Sequence, residues 1–338
     1  MQTAANAKVE FEYAQSLVEF EQMTDSGDQT VFTATGDIWS EREGYEPEIR
    51  PNGVVSGTNI FSPNASNDTL SYTGFTAYVE SVLVTKTAST IAIARATTDT
   101  HVINSITMDS SGTITATKGV EGTSFSTTRG AAGGPPYIPV DEIELCQVKT
   151  DSQTAAVLLS TEIFQSVQGG TQERYDYPIW KTPKSLGDGN QADDPDKENA
   201  YIEFASALAT SHTGDLPKRI WIQYYTPDFL EVEVADEFTE AAISVSTSST
   251  QYYRTTVASK SESLGTASFT MLPSDGISDT LIKLENEKLV FRYYPNVNQA
   301  PYSLTQGWVG FATSNPASDN ISTEVTIAAD KKTVRFDS

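Results

Sequence analysis

The chain has 338 residues, with 22 Lys and Arg against 45 Asp and Glu, two His and one Cys, and a formal net charge of −23. This length holds about two domains, and an aromatic share of 10% argues against disorder. A single Cys excludes a disulfide scaffold or a Cys-based zinc site, two His exclude His-rich metal chemistry, and the scarcity of Lys and Arg argues against direct affinity for nucleic acid or anionic membrane.

The N-terminus, Met1 to Glu12, has no basic region followed by an apolar run, so no signal peptide is expected. No stretch approaches the roughly 18 apolar residues of a membrane helix. Asn64-Ala-Ser66, Asn67-Asp-Thr69 and Asn320-Ile-Ser322 match the glycosylation pattern and read as polar loop residues. Charge is spread along the chain, about −13 over residues 1–170 and −10 over the rest, without an acidic tail. Ser and Thr make up roughly a quarter of the chain, which suits pleated, half-exposed strands.

Strand signals run through the sequence. Ile91 and Ile93 share a face. Ile106 and Met108 precede the turn Asp109-Ser-Ser-Gly112, and Ile114 and Ala116 follow it, a hairpin pattern. Leu230, Val232 and Val234 alternate with Glu231, Glu233 and Ala235. Ile243 and Val245, Val325 and Ile327, and Val334 and Phe336 alternate in the same way, so the class is mainly β. Tyr201, Phe204, Ala205 and Leu208, preceded by Asp193-Asp-Pro-Asp-Lys-Glu, predict one helix over about 196–210, and a shorter helical turn is expected at Ser278–Leu284. Gly130 to Pro136 reads as a boundary, and residues 181–195 as a long polar projection.

Chemistry-bearing patterns are sparse. Asp188 to Asp196 is the best cation candidate but lacks the spacing of a calcium loop, so it reads as a solvated loop. His101 and His212 have no nucleophile motif beside them, and Cys146 alternates with apolar residues like a buried small hydrophobe. Paired acids such as Glu231/Glu233 and Asp236/Glu237 are expected by chance among 45 acids. Aromatic residues cluster after residue 170, at Tyr175–Trp180, Trp221–Tyr225, Tyr252-Tyr253, Phe291–Tyr294 and Trp308. They are candidates for core or for subunit contacts.

Three passages together resemble the major tail tube proteins of tailed bacteriophages with long non-contractile tails. They are Gly133–Lys149 leading to Ala155–Phe164, the central strands with the helix near 196–210 and the hydrophilic strand Ser244–Thr250, and the run Tyr302–Ile327. The likeness covers roughly residues 137–338. It implies a β-sandwich or barrel-like core with one flanking helix at 137–338, N-terminal strands at 1–45 that join this core, and an additional small β-domain at 46–136, inserted on the tube exterior. The implied function is structural rather than enzymatic: hexameric rings stack into a tube through which DNA passes without specific binding, with no cofactor and no membrane. The partners implied are further copies of the chain and the tape measure, tail tip and terminator proteins. The implied location is the virion tail, assembled in the bacterial cytoplasm. An acidic wall would repel phosphate, and Glu231 and Glu233, on the polar face of a strand whose other face is apolar, are candidate lumen-facing acids, an outer solvated face being the other reading. Phe164, Tyr177, Trp180, Asp188 and Asn190 are the expected subunit-interface residues, and the 181–195 loop is expected to reach a neighbouring subunit. Another virion or cell-surface β-protein, such as a decoration, baseplate, fibre or adhesin component, is the second reading, and a carbohydrate-active enzyme the third.

Overall fold

The structure, a computed structural model, describes residues 8–27, 29–36, 39–40, 42, 44–57, 59–164, 180–184, 200–204, 207–208, 218–232, 238–252, 255–271, 277–294, 302–314, 322–330 and 333–336. The chain is mainly β, as its alternating patterns require. It begins with a long strand, β1 (Lys8–Gln22), followed by β2 (Thr24–Asp25), β3 (Val31–Thr33) and β4 (Glu48–Pro51). A run of shorter strands follows: β5 (Gly53–Ser56), β6 (Phe61–Pro63), β7 (Thr69–Tyr72), β8 (Phe75–Val79), β9 (Val82–Lys86), β10 (Ser89–Ala92), β11 (Val102–Asp109), β12 (Ile114–Lys118), β13 (Glu142–Thr150) and β14 (Ile163–Phe164). Then come β15 (Trp180–Lys184), β16 (Tyr201–Phe204), β17 (Ile220–Val232), β18 (Ile243–Tyr252), β19 (Thr255–Leu264), β20 (Thr266–Met271), the short helix α1 (Ile277–Ile282), β21 (Lys288–Tyr294), β22 (Tyr302–Ser314), β23 (Ser322–Ala329) and β24 (Val334–Phe336).

One eight-stranded sheet organises what we call the body. Its order is β20-β23-β22-β21-β1-β17-β4, with β24 beside β22, and a four-stranded sheet β15-β16-β3-β2 accompanies it. The strand β17 spans about 43 Å at roughly 3.3 Å per residue. It runs without a bulge, so its even-numbered residues share a face. Ile220, Ile222 and Tyr224 enter one apolar cluster with Met23, Phe32, Trp39, Ile49, Ile202 and Phe204. On the same face, Val232 and the partly buried Leu230 enter a second cluster with Val9, Phe11, Phe269, Phe291, Val309, Val325 and Ile327, closed by Leu281 of α1. Strand β1 reaches both clusters and carries two bulges, between Glu12 and Ala14 and between Val18 and Glu21. The first switches the inward set from Val9 and Phe11 to Val18.

Residues 52–164, which we call the module, form three sheets, β5-β8-β9, β10-β7-β6 and β12-β11-β13-β14, around one further cluster. Val54, Phe61, Leu70, Phe75, Ile106, Met108, Ile143, Cys146 and Val148 are all buried in it. The cluster crosses position 136, because β11 and β13 pair from Val102↔Thr150 to Asp109↔Glu142. The expected hairpin is present, with Ile106↔Ala116 and Met108↔Ile114 paired. Its turn is closed by the Asp109 carboxylate, which accepts from the Thr113 amide at 2.7 Å, and by Gly112 at φ +82°. The opposite face of β11 and β13 is polar yet buried: Arg129 donates to the Glu144 carboxylate at 2.6 Å and to the Pro136 carbonyl at 2.7 Å. The Gly130–Pro136 stretch is thereby a packed roof over these strands. A side chain at Gly133 (φ +72°) would collide with the Ser124 carbonyl.

The helix expected at 196–210 is not formed where the structure describes it. Tyr201–Phe204 is strand β16, lying between β15 and β3. Tyr201 and Ile202 are adjacent and both buried, a pattern of a strand covered on two faces. The apolar spacing over so short a run fits either structure, and sheet pairing decides it. The capping acids before Ala200 lie outside the described residues. The helical turn expected at Ser278–Leu284 is present as α1, with Leu281 fully buried.

Candidate assembly surfaces

Strand β1 is bonded unequally along its length. At Lys8–Phe11 it has β21 on one side and β17 on the other. From Tyr13 to Gln22 it pairs with β17 alone among the described strands. Its second edge there, beside the exposed Tyr13 and Leu17, has no strand partner among the described residues. An edge of this length accepts another strand.

A second unshared element is the ribbon β18–β19. Ten residues on each side pair in continuous register from Ile243↔Leu264 to Tyr252↔Thr255. These two strands form a two-stranded sheet by themselves. The Gly265 amide donates to the Ala242 carbonyl at 2.8 Å and closes the ribbon's base. Ile243 and Val245, which alternate as an inward face would, are 44% and 52% exposed. An isolated two-stranded ribbon is marginal in water, so its apolar row gains most from a partner.

The third surface is the face of the body sheet turned away from the apolar clusters. Glu10 of β1 stands directly opposite Glu231 of β17, and Arg292 of β21 stands on its other side. Two like charges in register repel. The Lys8 ammonium relieves this pair, 2.6 Å from Glu10 and 3.9 Å from Glu231, and its hydrogen bond to Glu10 raises its pKa. Lys8 also lies 4.5 Å from the centre of the Tyr294 ring, and Arg292 lies 3.9 Å from that of Phe229. Burial, followed by the charge of Glu10, raises the Tyr294 hydroxyl pKa. Further across the sheet, Lys288 pairs with Asp330 at 2.6 Å beside the 48%-exposed Trp308. The face is therefore a mixed ionic surface and not a row of acids.

Of the residues singled out from sequence, Glu231 lies on this polar face with a side chain 63% exposed. Glu233 lies outside the described residues, as do Tyr177, Asp188, Asn190, His212 and the cation candidate at 188–196. The backbone of Trp180 is paired with Phe204 in β15–β16. Phe164 belongs to the module: it pairs with Gln147, and the Lys149 ammonium lies 4.1 Å from its ring centre. Cys146 is buried, and burial pushes its thiol pKa well up, away from nucleophilic use. His101 accepts or donates at 2.8 Å to Thr100 and packs edge-on against Phe125. Among the described residues no group of three or more His, Cys, Asp or Glu is placed to hold a metal, and no helix is long and apolar enough to cross a membrane. Sequence reasoning had no signal for the one-sided edge of β1, which depends on how far β21 extends. No protein-family model and no curated protein matches this chain.

Proposed function

We propose that this chain is a self-assembling structural subunit, a tail tube protein of a phage with a long non-contractile tail, whose copies form hexameric rings that stack into a DNA conduit in the virion. The observation that carries the reading is the ribbon β18–β19, ten residues long, paired only with itself among the described strands, and exposing Ile243 and Val245. A monomer gains little from such a projection, whereas a neighbouring copy covers it. The one-sided edge of β1 supports the same reading, because lateral strand pairing between copies removes an otherwise open edge and closes sheets into a barrel. In this arrangement the polar face bearing Glu231 and Glu10 lines the lumen, where Lys8 and Lys288 are engaged by acids rather than offered to the phosphates of passing DNA. The protomer core is then a sandwich or barrel, and tape measure, tail tip and terminator proteins bind at the tube ends.

Electron microscopy of the purified protein tests this. Long hollow tubes of stacked rings are expected, and a persistent monomer at high concentration overturns the reading. Removing residues 244–263, which leaves the Ala242–Gly265 closure in place, is expected to give a folded protomer that no longer polymerises. Unaltered tubes from that variant would assign the ribbon no role.

A further inference from the structure

Module and body meet where β4 ends, and the contacts there converge on a turn with unusual backbone. Val79 pairs with Val82, so Glu80 and Ser81 are the two central residues of a hairpin turn. Both have positive φ, +49° and +67°. Hairpin turns of this form favour Asn-Gly, because residues with a larger side chain pay a steric penalty there. Such a conformation persists where surrounding contacts over-determine it, and here those contacts come from the boundary with the body. The Glu80 amide donates to Asn52 Oδ1 at 2.9 Å, and Arg50 Nη1 donates to the Ser81 carbonyl at 2.6 Å.

Arg50 is itself held from both sides. Its guanidinium lies 4.2 Å from the Phe20 ring centre in β1 and 5.2 Å from that of Tyr78 in β8, while Nε donates to Glu48 at 2.8 Å. One planar cation thus bridges an aromatic ring of the body and one of the module. Two further bonds cross the same boundary: the Asn52 amide donates to the Arg219 carbonyl at 2.9 Å, and Arg219 Nη2 donates to the Glu142 carbonyl at 2.6 Å.

We propose that Arg50 and Asn52, with the strained Glu80–Ser81 turn as their receiver, form a latch that fastens the module to the body as one cooperative unit, and that opening this latch leaves both parts folded. The full-length Arg50→Ala variant tests it. Calorimetry is expected to show one transition for the unaltered chain and two for the variant. Amide exchange at 79–86 is expected to rise at least tenfold, while Ile106–Met108 and Val325–Ile327 keep their protection. A variant with one transition and unchanged exchange at 79–86 overturns the proposal, as does an unaltered chain that already melts in two steps. Should Arg50→Ala not fold, Arg50→Lys keeps the charge and loses the planar double stacking. An increase at 79–86 of several-fold with a folded core supports the latch, and wild-type exchange or failure of this variant to fold overturns it.

Discussion

Within the module no strand exceeds nine residues, and its core is surrounded by three small sheets. The body contains strands of 15, 13 and 13 residues and, among the described residues, one edge paired on a single side and a ribbon that stands alone. Charge divides in the same way. Residues 52–164 hold ten acids and five bases, a net −5, so −18 of the −23 belongs to the other 225 residues. The module's three sheets end on edge strands of only two to five residues, whereas the body leaves a long stretch of β1 and the ribbon without a further strand among the described residues. The acidity thus lies mainly outside the module. Copies that meet there must overcome repulsion, and salt that shortens the Debye length to about 8 Å or less favours association.

Two substitutions of similar size separate the regions. Glu144→Ala strands the Arg129 guanidinium, a cation 6% exposed, without its carboxylate. A loss of about 3–5 kcal/mol is expected in urea unfolding. Phe291→Ala empties a site at the centre of the body's sheet, and a loss of about 3–5 kcal/mol is expected there too. In the unlatched Arg50→Ala chain, where two transitions are expected, Glu144→Ala should lower only the module's midpoint and Phe291→Ala only the body's. If either substitution lowers both, the division into two regions fails.

Acid sharpens the comparison further. Glu121 accepts from Thr97 Oγ1 at 2.9 Å, from the Thr98 and Asp99 amides at 2.6 and 3.0 Å, and from Lys118, which holds its carboxyl well below the ordinary range. A depressed carboxyl contributes stability that is complete above its unfolded pKa of about 4.3 and is lost as pH falls through the folded value. Asp109, lowered by Ser111 and Thr113, acts in the same direction. Glu144 acts oppositely, since burial raises it, and its contribution is complete in acid and declines as pH rises through the folded value. Below pH 4 the module is expected to weaken, and Glu121→Gln should flatten that limb in a thermal series from pH 5 to pH 2. An unchanged slope removes Glu121 as its source. The smallest effect is expected at Lys8→Ala, where a surface pair is worth about 0–1 kcal/mol. Restoring part of it with Glu10→Gln in the same chain checks that the loss is repulsion from Glu231.

Much of the module was legible because its signals are local. The 106–117 hairpin announces itself by alternation around a turn whose Asp and Gly have defined backbone roles, and Cys146 by its apolar neighbours. The Glu80–Ser81 turn was not legible, because neither residue type favours positive φ and the stabilising groups lie at Arg50 and Asn52. In the body, alternation at 243–245 and 325–327 marked strands correctly, but only tertiary structure decides that Val325 and Ile327 are buried while Ile243 and Val245 are exposed. Residues 201–204 carry a helical spacing that sheet pairing overrides. The two bulges of β1 are silent in sequence, although they decide which of its residues face inward.

The register between β1 and β17 also fixes an order of events at the ribosome. Ser16 bonds Asp228, 212 positions later in the chain. At roughly 5–20 residues per second, the first strand waits about 10–40 s for its partner to be made. During that interval the module is complete and free to fold, while Val9 and Phe11 have nothing to pack against. Residues 8–22 are then an amphipathic strand with both edges bare, held in the same polysome as identical strands on other chains. A chaperone that shields residues 8–22 until residue 232 emerges would keep these bare edges from pairing with one another.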